Sequence, residues 1–158
     1  MQPIVRQIIG TDHGYTDKIA HWMYEWWGKN ERFRYEAIRC YVEHSFQEKR
    51  LPQTFGLFLG EELIGVYMLM QEDLFVRPDL YPWLANVFIA PEYRGKGYGK
   101  IMMESIRENA KNSLDYDDVF LFTNHVGLYE KYGWEFMYEM DTYMGEDGME
   151  RFYRLRLR

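Results

Sequence analysis

Residues 83–90, WLANVFIA, form a nearly unbroken apolar run, and a glycine-rich stretch, PEYRGKGYGK, follows it directly. A run of that length suits a strand, and its lack of alternation predicts a central strand buried on both faces. Such a strand needs partners along both edges and helices over both faces. Downstream, YGKIMMESIRENAKN reads as a helix and DVFLFT (118–123) as the next strand. A crossover helix between two strands permits a parallel pair.

The rest of the chain supplies the remaining layers. IVRQIIG predicts a first strand. DKIAHWMYEWWG places Ile19, Trp22, Met23, Trp26 and Trp27 at helical spacing and stops at Gly28. ERFRYEAIRCYVEHSFQEKR predicts a second helix, ended by Pro52. TFGLFLGEELIGVYMLMQE reads as two strands joined by a tight turn at Gly60. VGLYEKY predicts a short helix and WEFMYE a sixth strand. In RFYRLRLR, Tyr153, Leu155 and Leu157 alternate with Arg154, Arg156 and Arg158, as in an edge strand with one solvated face. The expected fold is α/β: a mixed sheet of six to seven strands flanked by about four helices. The 158 residues, with neither a repeat nor a linker, predict one domain spanning 1–158.

Composition narrows the function. A net charge of −6 disfavours general nucleic-acid binding and favours a cationic partner. No segment approaches a membrane span, and MQPIVRQIIG does not resemble a signal peptide. The single Cys40 cannot form an internal disulfide. A cytoplasmic protein is expected. His13, His21, His44 and His125 lack metal-ligand spacing, so no metal is expected.

The glycine stretch suits a phosphate-bearing ligand. Gly95, Gly97 and Gly99 allow close backbone approach, the following helix offers unpaired N–H groups, and Arg94, Lys96 and Lys100 add charge. A plain basic turn between strand and helix has the same composition. A P-loop is excluded, because Arg94 stands where its first glycine must be and Ile101 where its hydroxyl must be. The dinucleotide fingerprint fails as well, because Lys100 replaces its third glycine.

Arg94-Gly95-Lys96-Gly97-Tyr98-Gly99 resembles the Arg/Gln-x-x-Gly-x-Gly/Ala signature of the GNAT acetyltransferase superfamily, and GLYEKYGWE resembles a second segment of that family. The two occur in the expected order and separation, and the predicted elements match the whole fold. The resemblance implies a GNAT-like sheet and acetyl-CoA as co-substrate. It implies that the amides of Arg94–Gly99, with Lys100, hold the coenzyme A pyrophosphate where strands four and five splay apart. The backbone N–H of Ile89 or its neighbour Phe88 would hold the thioester carbonyl. Tyr129 matches the family's general acid, and Asn124 its pantetheine- or adenosine-bonding asparagine, although it also suits a helix N-cap.

The base is less legible. Counting back from Ile89 by twos gives Val87, Ala85 and Trp83, none of which can take a proton. Glu72, Asp73 and Asp79 remain, with Asp73 preferred. For the acceptor, the resemblance turns attention to HWMYEWW, with Trp27 and Glu25, and to Tyr81 and Trp83. Trp22 and Trp26 are expected in the core. The expected activity is N-acetylation of a primary amine, in a small molecule or a peptide, by direct attack, with a small cation favoured and a homodimer possible. The rival is a non-catalytic acyl-CoA-binding module of the same fold.

Overall fold

A computed structural model describes residues 1–73, 76–142 and 148–158. Phe75, the first residue of the sequence segment FVRPDLYP that carries Asp79, lies outside the described residues. Seven strands form one sheet: β1 (Ile4–Ile8), β2 (Gln53–Leu59), β3 (Glu62–Met70), β4 (Trp83–Ile89), β5 (Asp118–Thr123), β6 (Glu135–Asp141) and β7 (Met149–Arg156), in the order β1-β2-β3-β4-β5-β7-β6. Every neighbouring pair is antiparallel except β4 and β5. The apolar run therefore sits at the centre, as its composition requires. Trp83, Leu84 and Ala85 are buried, whereas Asn86–Ile89 are only half-buried.

Among the described residues three α-helices cover the sheet: α1 (Thr16–Met23), α2 (Tyr35–Glu43) and α3 (Tyr98–Ser113). α1 and α2 share one face, where Ile19, Met23, Ile38 and Val42 pack on Phe58, Val66, Met68 and Trp83. α3 takes the other face. Its Met102, Ile106 and Ala110 recur every four residues and pack on Leu57, Ile64, Leu69 and Tyr153. Burying such a methionine or isoleucine contributes about 1.5–3 kcal/mol.

Four expectations change. α1 does not continue regularly; it widens into a π-helical turn over Tyr24–Gly28. α2 is shorter than its sequence pattern at both ends: it starts at Tyr35, after a turn at Glu31 and Arg32 (φ 64°) and an extended Arg34, and it ends at Glu43 well before Pro52. The short helix after β5 is a 3₁₀ turn, Tyr129–Tyr132. β7 is not an edge strand but lies between β5 and β6. Its apolar face is buried as expected, and its arginines pair with acids: Arg154 and Arg156 with Glu135 (2.9 and 3.1 Å), and Arg158 with Asp115. Among the described residues no helix is long and apolar enough to cross a membrane, and no cluster of three His, Cys, Asp or Glu could hold a metal.

Candidate active site

The site begins where β4 leaves β5. The two strands register only at Trp83 and Phe120, with the Phe120 N–H donating to the Pro82 carbonyl (3.0 Å). Beyond that point β4 is paired only with β3, and β5 only with β7. A cavity of about 620 Å³ opens between them, with Leu84 to Val87 on one side and Leu121 to Thr123 on the other.

A bulge accompanies the divergence. Val66 faces Phe88 and Met68 faces Ala85, so Asn86 and Val87 together oppose Tyr67. An extra residue bends a strand and increases its twist. Asn86 takes the left-handed backbone, with φ 55°, and asparagine is among the few non-glycine residues that enter it readily. The bulge also reverses the facing. Trp83, Ala85 and Phe88 belong to the α1/α2 side, whereas Leu84, Val87 and Ile89 face α3. Counting by twos from Ile89 therefore crosses from one face to the other and misses Asn86, the polar residue that β4 presents to the α1/α2 side.

On that side the cavity is aromatic and acidic. Trp26, Trp27 and Tyr41 line it with Glu31, Glu72, Asp73 and Glu150, and no lysine or arginine lines it among the described residues. The π turn brings the two tryptophans there; Trp26 is 46% exposed and so is not a core residue. The Trp27 Nε1–H donates to Asn86 Oδ1 (3.1 Å), and Asn86 Nδ2 donates to the Tyr41 hydroxyl oxygen (3.0 Å). Burial pushes the Asp73 carboxyl up to about 7, because the charged form loses hydration. No residue among those described hydrogen-bonds or pairs with it. Burial, with the charge of Asp73 adding to it, pushes the Tyr41 hydroxyl up to about 12. Asp79 differs: two hydrogen bonds from Arg77 (2.9 and 2.8 Å) hold it below the usual carboxylate range. Glu25 is exposed, pairs with Lys29 and does not line the cavity.

On the other side, Asn124, His125 and Tyr129 reach the cavity from the end of β5 and the turn after it. Asn124 makes no capping bond to the Tyr129–Tyr132 turn. Tyr129 is buried against Trp134 and Tyr153, and burial pushes its hydroxyl up to about 12, with Tyr153 adding to the effect. The Ala90 N–H donates to the Ile64 carbonyl on β3 (2.9 Å). Successive N–H groups of a strand point to opposite edges, so the Ile89 N–H faces the opening, while that of Phe88 faces β3. Phe88 instead packs its ring between Trp22, Trp26 and the Arg94 guanidinium. This corrects Phe88 as a backbone donor toward the cleft.

The glycine stretch forms the solvent-exposed turn into α3. Gly95 and Gly97 have φ of 77° and 83°, and a Cβ at either would meet nothing within 4 Å. Space above the backbone is thus left open at the N-terminus of a 16-residue helix. Arg94 Nε donates to the Ile89 carbonyl (2.7 Å), tying the turn to the end of β4. Lys96 is exposed, Tyr98 and Gly99 are half-buried, and Lys100 pairs with Glu104 at 3.8 Å. An open, cationic turn beside the cleft fits a diphosphate whose attached arm enters between β4 and β5.

Two expected acceptor contacts lie elsewhere. Trp83 is fully buried among Phe120, Phe122 and Phe152, with its indole N–H donating to the Leu80 carbonyl (2.6 Å). Tyr81 packs on Tyr116, outside the cavity lining. The sequence reading missed Tyr41, Glu31, Glu150 and Asn86. Of these only Asn86 carries a local signal: a polar residue that tolerates the left-handed backbone, set inside an apolar run.

A family model described as an acetyltransferase (GNAT) domain matches residues 53–136, just over half of the chain. The chain belongs to the GNAT acetyltransferase family. Solved structures share its fold over nearly the whole length. A chimera of Vibrio cholerae spermidine N-acetyltransferase SpeG and hSSAT is 14% identical, with a TM-score of 0.72 and coverage of 99% of this chain and 96% of that one. An aminoglycoside 6'-N-acetyltransferase complexed with coenzyme A is 12% identical, with a TM-score of 0.73 and coverage of 98% and 97%. RimL, a ribosomal L7/L12 alpha-N-protein acetyltransferase in complex with coenzyme A, is 9% identical, with a TM-score of 0.71 and coverage of 99% and 95%. No curated protein matches the sequence. The GNAT assignment makes the chain an acyltransferase, and the cleft of this GNAT chain is its candidate active site.

Proposed function

We propose that the chain transfers an acetyl group from acetyl-CoA to a primary amine of a small cationic molecule. The observation that carries this is the cavity at the β4–β5 opening, where Glu31, Glu72 and Asp73 and the rings of Trp26, Trp27 and Tyr41 line one side and no lysine or arginine lines it among the described residues. Carboxylates and ring faces both attract an ammonium. The coenzyme A complexes of the two structural neighbours support the donor.

The residues divide the work. The turn Arg94–Gly99, with Lys100, holds the diphosphate through backbone N–H groups and charge, and Asn124, which lines the cavity, bonds the pantetheine arm. The Ile89 N–H holds the acyl carbonyl oxygen and stabilises the negative charge that develops on it. Asp73 takes the proton from the ammonium. A carboxyl near 7 is half ionised at neutral pH and accepts that proton better than an exposed carboxylate would. The amine nitrogen then attacks the carbonyl carbon, the carbon–sulfur bond breaks, the electron pair leaves on sulfur, and the second proton of the attacking nitrogen passes to solvent as the amide forms. Tyr129 stays protonated at neutral pH and donates to that sulfur. Full proton transfer from a hydroxyl near 12 to a thiolate near 8.5 is uphill by ~5 kcal/mol, so the hydroxyl acts chiefly as a hydrogen-bond donor. Trp27 presents a ring to the acceptor. A carboxylate that sequence counting did not find on β4 is thus supplied from the end of β3, which favours catalysis over acyl-CoA binding alone.

The test is the pH dependence of kcat/KM for amine acetylation. The wild type should lose activity on the acid side with an apparent pKa near 7, and Asp73→Asn should remove that limb along with most of the rate. An unchanged acid limb in the variant would assign the proton elsewhere.

A further inference from the structure

Asn86 fixes the polarity of a hydrogen bond that faces the acceptor. Indole N–H can only donate, so the atom of Asn86 that meets Trp27 Nε1 must be its carbonyl oxygen. The other end of that amide is therefore NH₂, and it donates to the Tyr41 oxygen at 3.0 Å and toward the Met68 sulfur at 3.3 Å. Tyr41 consequently accepts from Asn86 and cannot donate back. Its own proton has no protein acceptor among the described residues, although the ring is half-buried and lines the cavity. Such a donor becomes costly to leave unpaired once a bound ligand displaces the water around it. The left-handed backbone at Asn86 is a further cost accepted in this arrangement.

From this we infer that the acceptor carries an oxygen able to accept a hydrogen bond from Tyr41, besides the ammonium that meets the carboxylates. The inference rests on the reading of this cavity as the acceptor's seat. An alkyl polyamine with every nitrogen protonated has only donors to offer, and it would leave the Tyr41 proton unmet. A hydroxylated or ether-bearing amine satisfies both polarities at once. Tyr41 is then a specificity-determining residue, and Asn86 is the positioning residue that keeps its proton turned to the ligand.

The experiment compares an eight-carbon terminal diamine with the diamine of equal length in which two methylenes are replaced by ether oxygens. Reach is the same and both are dications at neutral pH; differences in basicity and hydrophobicity enter the wild-type ratio, so the change of that ratio on mutation reads the hydrogen-bond acceptors. Tyr41→Phe should lower the ratio of kcat/KM, ether over alkyl, about tenfold, the worth of one hydrogen bond. Asn86→Asp should lower it similarly. Its carboxylate still accepts from Trp27 but now also draws the Tyr41 proton away from the cavity, and its added charge acts equally on both diamines. Both substitutions are near-isosteric, and a circular dichroism melt verifies folding. A ratio unchanged in Tyr41→Phe, or kept by Asn86→Asp, would overturn the inference while leaving the transferase reading intact. Calorimetric titration of the two diamines reads the same ratio without turnover. A ratio that responds to Tyr41→Phe in binding, with neither diamine acetylated, would keep the inference and count against the transferase. If neither diamine binds, the cavity is not the acceptor's seat and the inference falls.

Discussion

Replacing Asp73 with asparagine should raise stability at alkaline pH while removing turnover. Burial lifts the carboxyl from an ordinary 3.8 to about 7, so the folded chain binds that proton more tightly than the unfolded chain does. The resulting contribution to stability is fully present below pH 3.8 and is lost as pH rises through 7. A change of about 3 in pKa corresponds to roughly 4 kcal/mol. Solvent still reaches this half-buried residue, and part of the change lies below pH 5, so roughly 2 kcal/mol should be lost between pH 5 and 8.5. Asparagine does not titrate and keeps that stability. Urea unfolding of both proteins at the two pH values measures the difference directly. The wild type should fall relative to the variant by roughly 2 kcal/mol, or about 4–8 °C in Tm for a chain of this size. Parallel pH–stability curves would show that Asp73 is not desolvated and would refute the reasoning.

Three further outcomes follow from the geometry. Gly97→Val forces a β-branched residue to a φ of 83° within the glycine turn; acetyl-CoA binding measured by calorimetry should weaken at least about tenfold, and unchanged affinity would remove the turn from the donor site. Tyr129→Phe should lower kcat about tenfold with little change in the KM for acetyl-CoA, and an unchanged kcat would mean that solvent or another group serves the leaving sulfur. Gly65→Ala would bring a Cβ within 2.9 Å of the Phe88 carbonyl oxygen, pushing β4 toward the cleft; unfolding should show a loss of about 1–3 kcal/mol together with weaker acetyl-CoA binding.

The sheet was legible because its signals are local and strong. The apolar run marks β4, Gly60 marks the β2–β3 turn, and the alternation in RFYRLRLR buries Tyr153, Leu155 and Leu157 as expected. The place of β7 in the sheet was not legible, because alternation reports one buried face and says nothing of which edges are paired. The helix ends were hidden for a related reason. Trp26 and Trp27 look alike at helical spacing, and only the π turn brings both to the cavity. Asp73 and Tyr129, expected from the end of β3 and the second motif, both line the cavity. Trp83 was expected at the cleft because it lies just before it in sequence, whereas the aromatic cluster around it buries it completely. The aromatic and acidic wall of the cavity was the least legible part. Tyr41 comes from α2, Asn86 from a bulge, and Glu150 from a strand far along the chain, so only the folded sheet brings them together.

The most direct test of the account follows thiol release from acetyl-CoA by the purified protein offered a panel of amines, with mass spectrometry of each product. The panel spans cationic aminoglycosides and polyamines, short peptides, and amino acids whose net charge is zero or negative. The account predicts release that depends on a small cationic amine, an N-acetyl product formed in equal amount, and loss of both in Asp73→Asn. Equal rates with anionic amines, or bound acetyl-CoA that no amine discharges, would contradict it.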